Sequence, residues 1–202
     1  EAAELPLHLY QHAFYEAASI RKFNDLYYLV YSSGVNNELC YATSRYPDHG
    51  FQYRGVIISN SDLGYRGNQK PKNNAGTIHG SIEQINGRFY VFYHRCTNNT
   101  DYSRQCCAEE IHITPDGTIE QVEMTTSGLD ELSLKGIGSY QAGICCNLIT
   151  PSRIRLGIGK QQQKPRITER NGKLILADLN AGVKAVYKYF DLSRTDEIRI
   201  EY

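Results

Sequence analysis

Residues 76–95 read GTIHGSIEQINGRFYVFYHR, and the second half of this stretch decides the fold. Asn86-Gly87 supplies two residues that accept positive φ, as a type I′ turn requires, between runs rich in β-branched and aromatic side chains. A tight hairpin is predicted there. The pattern occurs a second time upstream: residues 20–33, IRKFNDLYYLVYSS, align without a gap with residues 82–95, IEQINGRFYVFYHR, at an offset of 62. Asn24 then stands where Asn86 stands. Residues 27–31 and 89–93 are apolar on both faces, as strands covered on each side by neighbouring sheets should be.

The repeat extends beyond the hairpin. Residues 39–42, LCYA, resemble residues 105–108, QCCA, and each copy runs on to a Pro-Asp turn, Pro47-Asp48 in the first and Pro115-Asp116-Gly117 in the second. Further strands are expected over residues 53–59 and 118–125. Strand, turn, strand, loop, strand, turn, strand is the plan of one propeller blade, and propellers close with about four to eight blades around a channel. The fold expected is therefore all-β, a partial propeller of about two blades over residues 1–135. From about Ser133 no third copy is found: strands over residues 144–148, 173–177, 185–190 and 198–200 predict the start of a β-sandwich over residues 136–202, and residues 157–165 read as a loop. The chain reads as cut at both ends.

Composition narrows the partners. Lys and Arg balance Asp and Glu at 22 each, so no long-range field favours nucleic acid or an anionic membrane, and uncharged partners fit better. No apolar run approaches the roughly 20 residues needed to span a bilayer, and nothing at Glu1 reads as a leader. The six cysteines, at 40, 96, 106, 107, 145 and 146, lack the CxxC spacing of zinc sites, and the adjacent pairs point to opposite faces of their strands. Buried reduced thiols in a bacterial cytoplasmic protein are the expectation, with secretion left open because the natural N-terminus is not seen.

Two polar residues break apolar or small-residue stretches. Glu16 lies in residues 14–19, FYEAAS, where aromatics and small side chains pressed against a carboxyl would favour its protonated form and suit it to hold a proton. His79 sits among small residues beside Gly80, where backbone approaches closely. The repeat maps Glu16 onto Ile78, next to His79, so both begin equivalent inner strands and should converge at one end of the channel. Residues 57–74 form a polar loop that could rim such a pocket or, equally, serve as a solvated linker. Arg104, at the end of the loop over residues 98–105, could bond sugar hydroxyls.

Residues 14–22, FYEAASIRK, with 76–82, GTIHGSI, 92–95, FYHR, and 102–105, YSRQ, occur in an order that resembles glycoside hydrolase family 43, over about residues 10–130. Residues 140–202 resemble, more weakly, the beginning of a family 6 carbohydrate-binding module. The resemblance implies a five-bladed propeller and an inverting hydrolase of arabinofuranosides or xylosides of plant polysaccharides. It implies Glu16 as the general acid, His79 as a channel histidine associated with calcium or its water shell, and Arg104 near the terminal sugar. Calcium prefers oxygen, so His79 is expected to reach it through water. The family's catalytic base and a further tuning aspartate lie in earlier blades, which this chain does not carry and which would be its partners. A non-catalytic carbohydrate-binding scaffold is the alternative.

Overall fold

A computed structural model of the chain describes residues 11–73, 76–130, 133–151 and 164–202. The lead-in before residue 11 and most of the loop expected at 157–165 lie outside these. Strands β1 (Phe14–Phe23), β2 (Leu26–Ser33), β3 (Glu38–Ser44) and β4 (Gln52–Ser59) form one sheet in chain order, and β5 (Gly80–Ile85), β6 (Arg88–Cys96) and β7 (Arg104–Ile111) form a second. All these neighbours are antiparallel. The pairs Phe23↔Leu26 and Ile85↔Arg88 close two-residue turns, with φ of 53° at Asn24, 51° at Asn86 and 82° at Gly87. The turn chemistry thus sets the register of both hairpins.

The repeat is visible in space. Ser19 and Ser81 share a hydroxyl hydrogen bond of 2.8 Å, Arg21 Nε donates to Glu83 Oε2 at 3.1 Å, and Arg54 Nη2 donates to Asp116 Oδ2 at 3.3 Å, each pair 62 residues apart. Equivalent positions of the two units therefore lie side by side, as in adjacent blades. Between the sheets runs one apolar core, built from Tyr28, Val30, Leu39, Tyr41 and Ile57 on one side and Ile78, Ile82, Val91, Tyr93 and Ile111 on the other. The architecture is that of a partial β-propeller.

The second unit differs from expectation in its fourth strand. Residues 118–125 are extended but form no ladder beyond the isolated bridge Ile113↔Ile119. Three of their N–H groups go to the first unit instead: Ile119 N–H donates to the Tyr41 hydroxyl at 2.7 Å, Val122 N–H to the Ile57 carbonyl at 2.9 Å and Met124 N–H to Asp62 Oδ1 at 2.7 Å. Two of these three acceptors are side chains, so no strand pairing results.

Glu109 on β7 sits at the base of this returning segment, 4% exposed. It accepts from the Tyr93 hydroxyl and from the N–H and hydroxyl of Thr125. Burial nevertheless pushes its carboxyl up from 4.5 to about 7. A raised carboxyl means that the folded chain holds more protons than the unfolded one between those two values, so stability should fall as pH rises from about 4.5 to 7, by on the order of 2 to 3 kcal/mol. Glu109→Gln should remove that slope. Denaturant melts of both proteins at pH 5 and pH 8 check this, and a wild-type minus variant difference that does not change with pH counts against it.

Towards the C-terminus the pairings become short: β8 (Leu134–Lys135) with β13 (Phe190–Asp191), β9 (Asn147–Ile149) with β12 (Lys184–Val186), and β10 (Arg166–Arg170) with β11 (Lys173–Ala177). The strand expected at 198–200 is not formed. Ile198 and Ile200 are 70% and 81% exposed, because among the described residues their apolar face has nothing to pack on. Arg95, 5% exposed, donates to the carbonyls of Gly143, Cys145 and Cys146, and the wholly buried Asp62 accepts from Asn147 Nδ2 at 3.1 Å. These contacts seat residues 143–147 against β6 of the second sheet and the segment that follows β4 of the first.

Candidate functional site

Two irregularities in β1 set the direction of Glu16. The register against β2 slips between Phe14 and Glu16 and again between Glu16 and Ser19, and Ala17 takes a φ of 60°. A bulge on each side of one residue turns its side chain out of the regular alternation. Glu16 stands opposite Ser32, whose hydroxyl donates to the Ile78 carbonyl. That bond ties the start of the second unit to the first beside His79.

The result is a contact of 2.9 Å between Glu16 Oε1 and His79 Nε2. Both side chains are part exposed, Glu16 by 43% and His79 by 34%. The enclosure expected from the FYEAAS stretch is only partial here. Phe14 leans on Tyr31, with ring centroids 5.6 Å apart, while Tyr15 is 67% exposed, so neither aromatic covers the carboxylate.

Behind His79 lies His94, a residue that the reading of the sequence did not single out. Its Nδ1 accepts from the His79 N–H at 3.2 Å and its Nε2 meets the Thr77 hydroxyl at 3.1 Å, while the two imidazoles cross edge to face at 5.2 Å. Burial, then the charges of Arg104 and His79, push His94 down to about 4, so the ring is neutral at ordinary pH. With Nδ1 accepting, the proton sits on Nε2 and is donated to Thr77. Asn60 braces the same segment, its Nδ2 donating to the carbonyls of Thr77 at 3.1 Å and His94 at 3.2 Å. Of the polar loop expected over residues 57–74, residues 57–59 belong to β4 and Ser59 to Asp62 are buried, whereas residues 63–73 are part or fully exposed and behave as a solvated linker. The sequence carries no clear signal for His94, since Tyr90 and Phe92 on its face of β6 are as apolar as Val91 and Tyr93 on the other.

Arg104 is exposed, and its Nε donates to the Asp101 carbonyl at 3.1 Å. It bonds neither Glu16 nor His79 in the structure; its charge is felt at His94. Arg95, its neighbour on the paired strand, is the buried structural arginine.

A second polar cluster joins His12, Glu38 and Cys40. Glu38 is 2% exposed and its Oε1 lies 2.7 Å from both Ser33 Oγ and His12 Nδ1 and 3.6 Å from Cys40 Sγ. Burial, then the Glu38 charge, pushes the Cys40 thiol well up. A neutral thiol beside a carboxylate whose Oε1 meets three partners makes this a hydrogen-bonded piece of core. All six cysteines are free thiols; Cys40, Cys145 and Cys146 are buried as expected, and Cys106 is exposed.

No family model matches the chain. A curated protein of Thermoclostridium stercorarium named xylosidase/arabinosidase is 45% identical over 203 residues, which cover 94% of this chain and 43% of that protein. A beta-xylosidase of Xylanibacter ruminicola is 33% identical over 114 residues, 55% of this chain and 32% of that protein. A solved GH43 beta-xylosidase/alpha-arabinofuranosidase from a compost microbial metagenome, in complex with xylotriose and in a calcium-free form, is 34% identical over 56% of this chain and 32% of its own, with a TM-score of 0.47. The chain thus spans less than half the length of the curated relatives it matches. Sequence agreement of this extent with proteins named xylosidase/arabinosidase and beta-xylosidase supports the kinship with glycoside hydrolase family 43.

Proposed function

We propose that the protein hydrolyses arabinofuranosides or xylosides with inversion, and that Glu16 is the general acid. The observation that carries this reading is the aimed carboxyl: two bulges turn Glu16 out of its strand, and His79 holds one oxygen at 2.9 Å. The other oxygen is the one that can face a departing glycosidic oxygen and protonate it. Water attacks the opposite face of the sugar, and inversion needs a second carboxylate about 6.5 to 9.5 Å from the first to take the water's proton. We assign that base to residues outside this chain. Arg104, whose charge is felt at His94, is proposed to bind hydroxyls of the terminal sugar. The relatives' names support the substrate class. Residues 136–202 are proposed to be the start of an appended β-sandwich.

Calcium does not fit the donors of this site. His79 Nε2 and one Glu16 oxygen are bonded to each other, and among the described residues neither belongs to a cluster of three or more metal-ligating groups. Six to eight oxygen ligands are needed, so the donors would have to come from elsewhere, and no step above involves the ion.

The anomeric form of the first sugar released decides the reading. Proton NMR of a fresh reaction of the full-length protein should show α-xylose from a β-xyloside, or the β anomer from an α-arabinofuranoside, before mutarotation. Retained configuration overturns the mechanism; binding of xylo- and arabino-oligosaccharides without release of either sugar overturns the assignment as a hydrolase.

A further inference from the structure

We propose that His94 is a positioning residue, which sets the place of His79, and through it of Glu16, by accepting the His79 main-chain N–H at Nδ1. This rests on the reading of Glu16 as the acid. The segment before β5 has little regular pairing of its own: residues 76–79 belong to no strand, and Gly80 is the first residue of the β5 ladder. Something else must fix His79, and three groups do, one from β6 and two from the first unit. Asn60 holds the Thr77 carbonyl, Ser32 holds the Ile78 carbonyl, and His94 takes the His79 N–H. Only the last touches His79 itself, and the crossed imidazoles at 5.2 Å fix the plane of its ring as well.

The two nitrogens of His94 do different work. Nδ1 must be an acceptor for His79, and the Nε2 proton, given to the Thr77 hydroxyl, keeps the tautomer in which it is one. The low proton affinity of the part-buried ring supports the same arrangement, since a proton on Nδ1 would put two donors face to face. The charges of Arg104 and His79 act on the ring, and both oppose its protonation.

Two amides separate these roles. In His94→Asn the side-chain oxygen lies near the place of Nδ1 and can still accept from His79; in His94→Gln the terminal amide reaches the place of Nε2 and Thr77, and the acceptor for His79 is lost. For the full-length protein, His94→Gln should lower kcat by about 10- to 100-fold with KM within about twofold, the penalty of a catalytic group displaced by a fraction of an ångström to an ångström. His94→Asn should stay within about threefold of wild type. The nitrogen and carbon-bound proton resonances of the His79 ring should follow the same order, unchanged in Asn and shifted in Gln. Equal effects of the two amides, the reverse order, or failure of the Asn variant to fold each overturn the proposal. Glu16→Gln measured alongside separates the two claims: if it keeps activity, the acid assignment falls, and the His79 resonances still decide the role of His94.

Discussion

Glu16→Gln in the full-length protein should abolish most hydrolysis of natural glycosides, a loss of about 100- to 10,000-fold in kcat, because an amide has no proton to give the leaving oxygen. The size of the loss should depend on the leaving group. A dinitrophenolate departs with little protonation, so the deficit there should shrink to within about tenfold, whereas an alkyl glycoside shows the whole of it. The pairing with His79 makes the substitution conservative, since a glutamine oxygen can still accept at Nε2 over the observed 2.9 Å. The fold should therefore survive, and the kinetics report chemistry. The 202-residue chain by itself should not turn over either substrate, since acid assistance without a positioned base leaves water to attack unaided. Equal losses for all leaving groups, or turnover by the chain alone, would refute the assignment.

Gly80→Ala should be the most damaging single-atom change in the site region. A Cβ on Gly80 would lie 2.1 Å from the Phe92 carbonyl oxygen and 2.7 Å from Leu39 Cδ1. The oxygen belongs to the backbone of β6, which pairs with β5 at this point, so it cannot swing aside as a side chain can. The methyl must push β5 from β6, at a cost of about 2 to 4 kcal/mol, or about 5 to 10 °C in melting temperature for a domain of this size. His79 is the adjacent residue, so the strand shift should also break its contact with Glu16 and cut kcat more than KM. A melting temperature within 2 °C of wild type would show that the strands part freely here.

The close approach at Gly80 was legible in the sequence, from the small residues around His79. So were both hairpins, because a two-residue turn is chosen by its own residues, and so was the meeting of Glu16 with His79, because the repeat placed both at the start of equivalent strands. Failures occur where distant side chains decide. The segment over 118–125 has the composition of a strand, yet Tyr41 and Asp62 take its N–H groups from far upstream. His94 was hidden because β6 is apolar along much of its length, so its pattern does not say which face is core. Arginine type alone did not separate Arg95, which holds three carbonyls in the interior, from the exposed Arg104. The enclosure of Glu16 was overestimated because a bulge turned it away from its aromatic neighbours.

The cross-links at the 62-residue spacing also carry an order. The first unit presents arginine at positions 21 and 54, and the second presents acid at the equivalent positions, Glu83 and Asp116. These pairs are solvent-exposed and add little stability. What they supply is direction. Two copies of the first unit placed side by side would set guanidinium against guanidinium at both points, and two copies of the second would set carboxylate against carboxylate. Each unit accepts the other as neighbour and repels its own kind, so the sequence of charges tells a folding chain of look-alike sheets which one comes next.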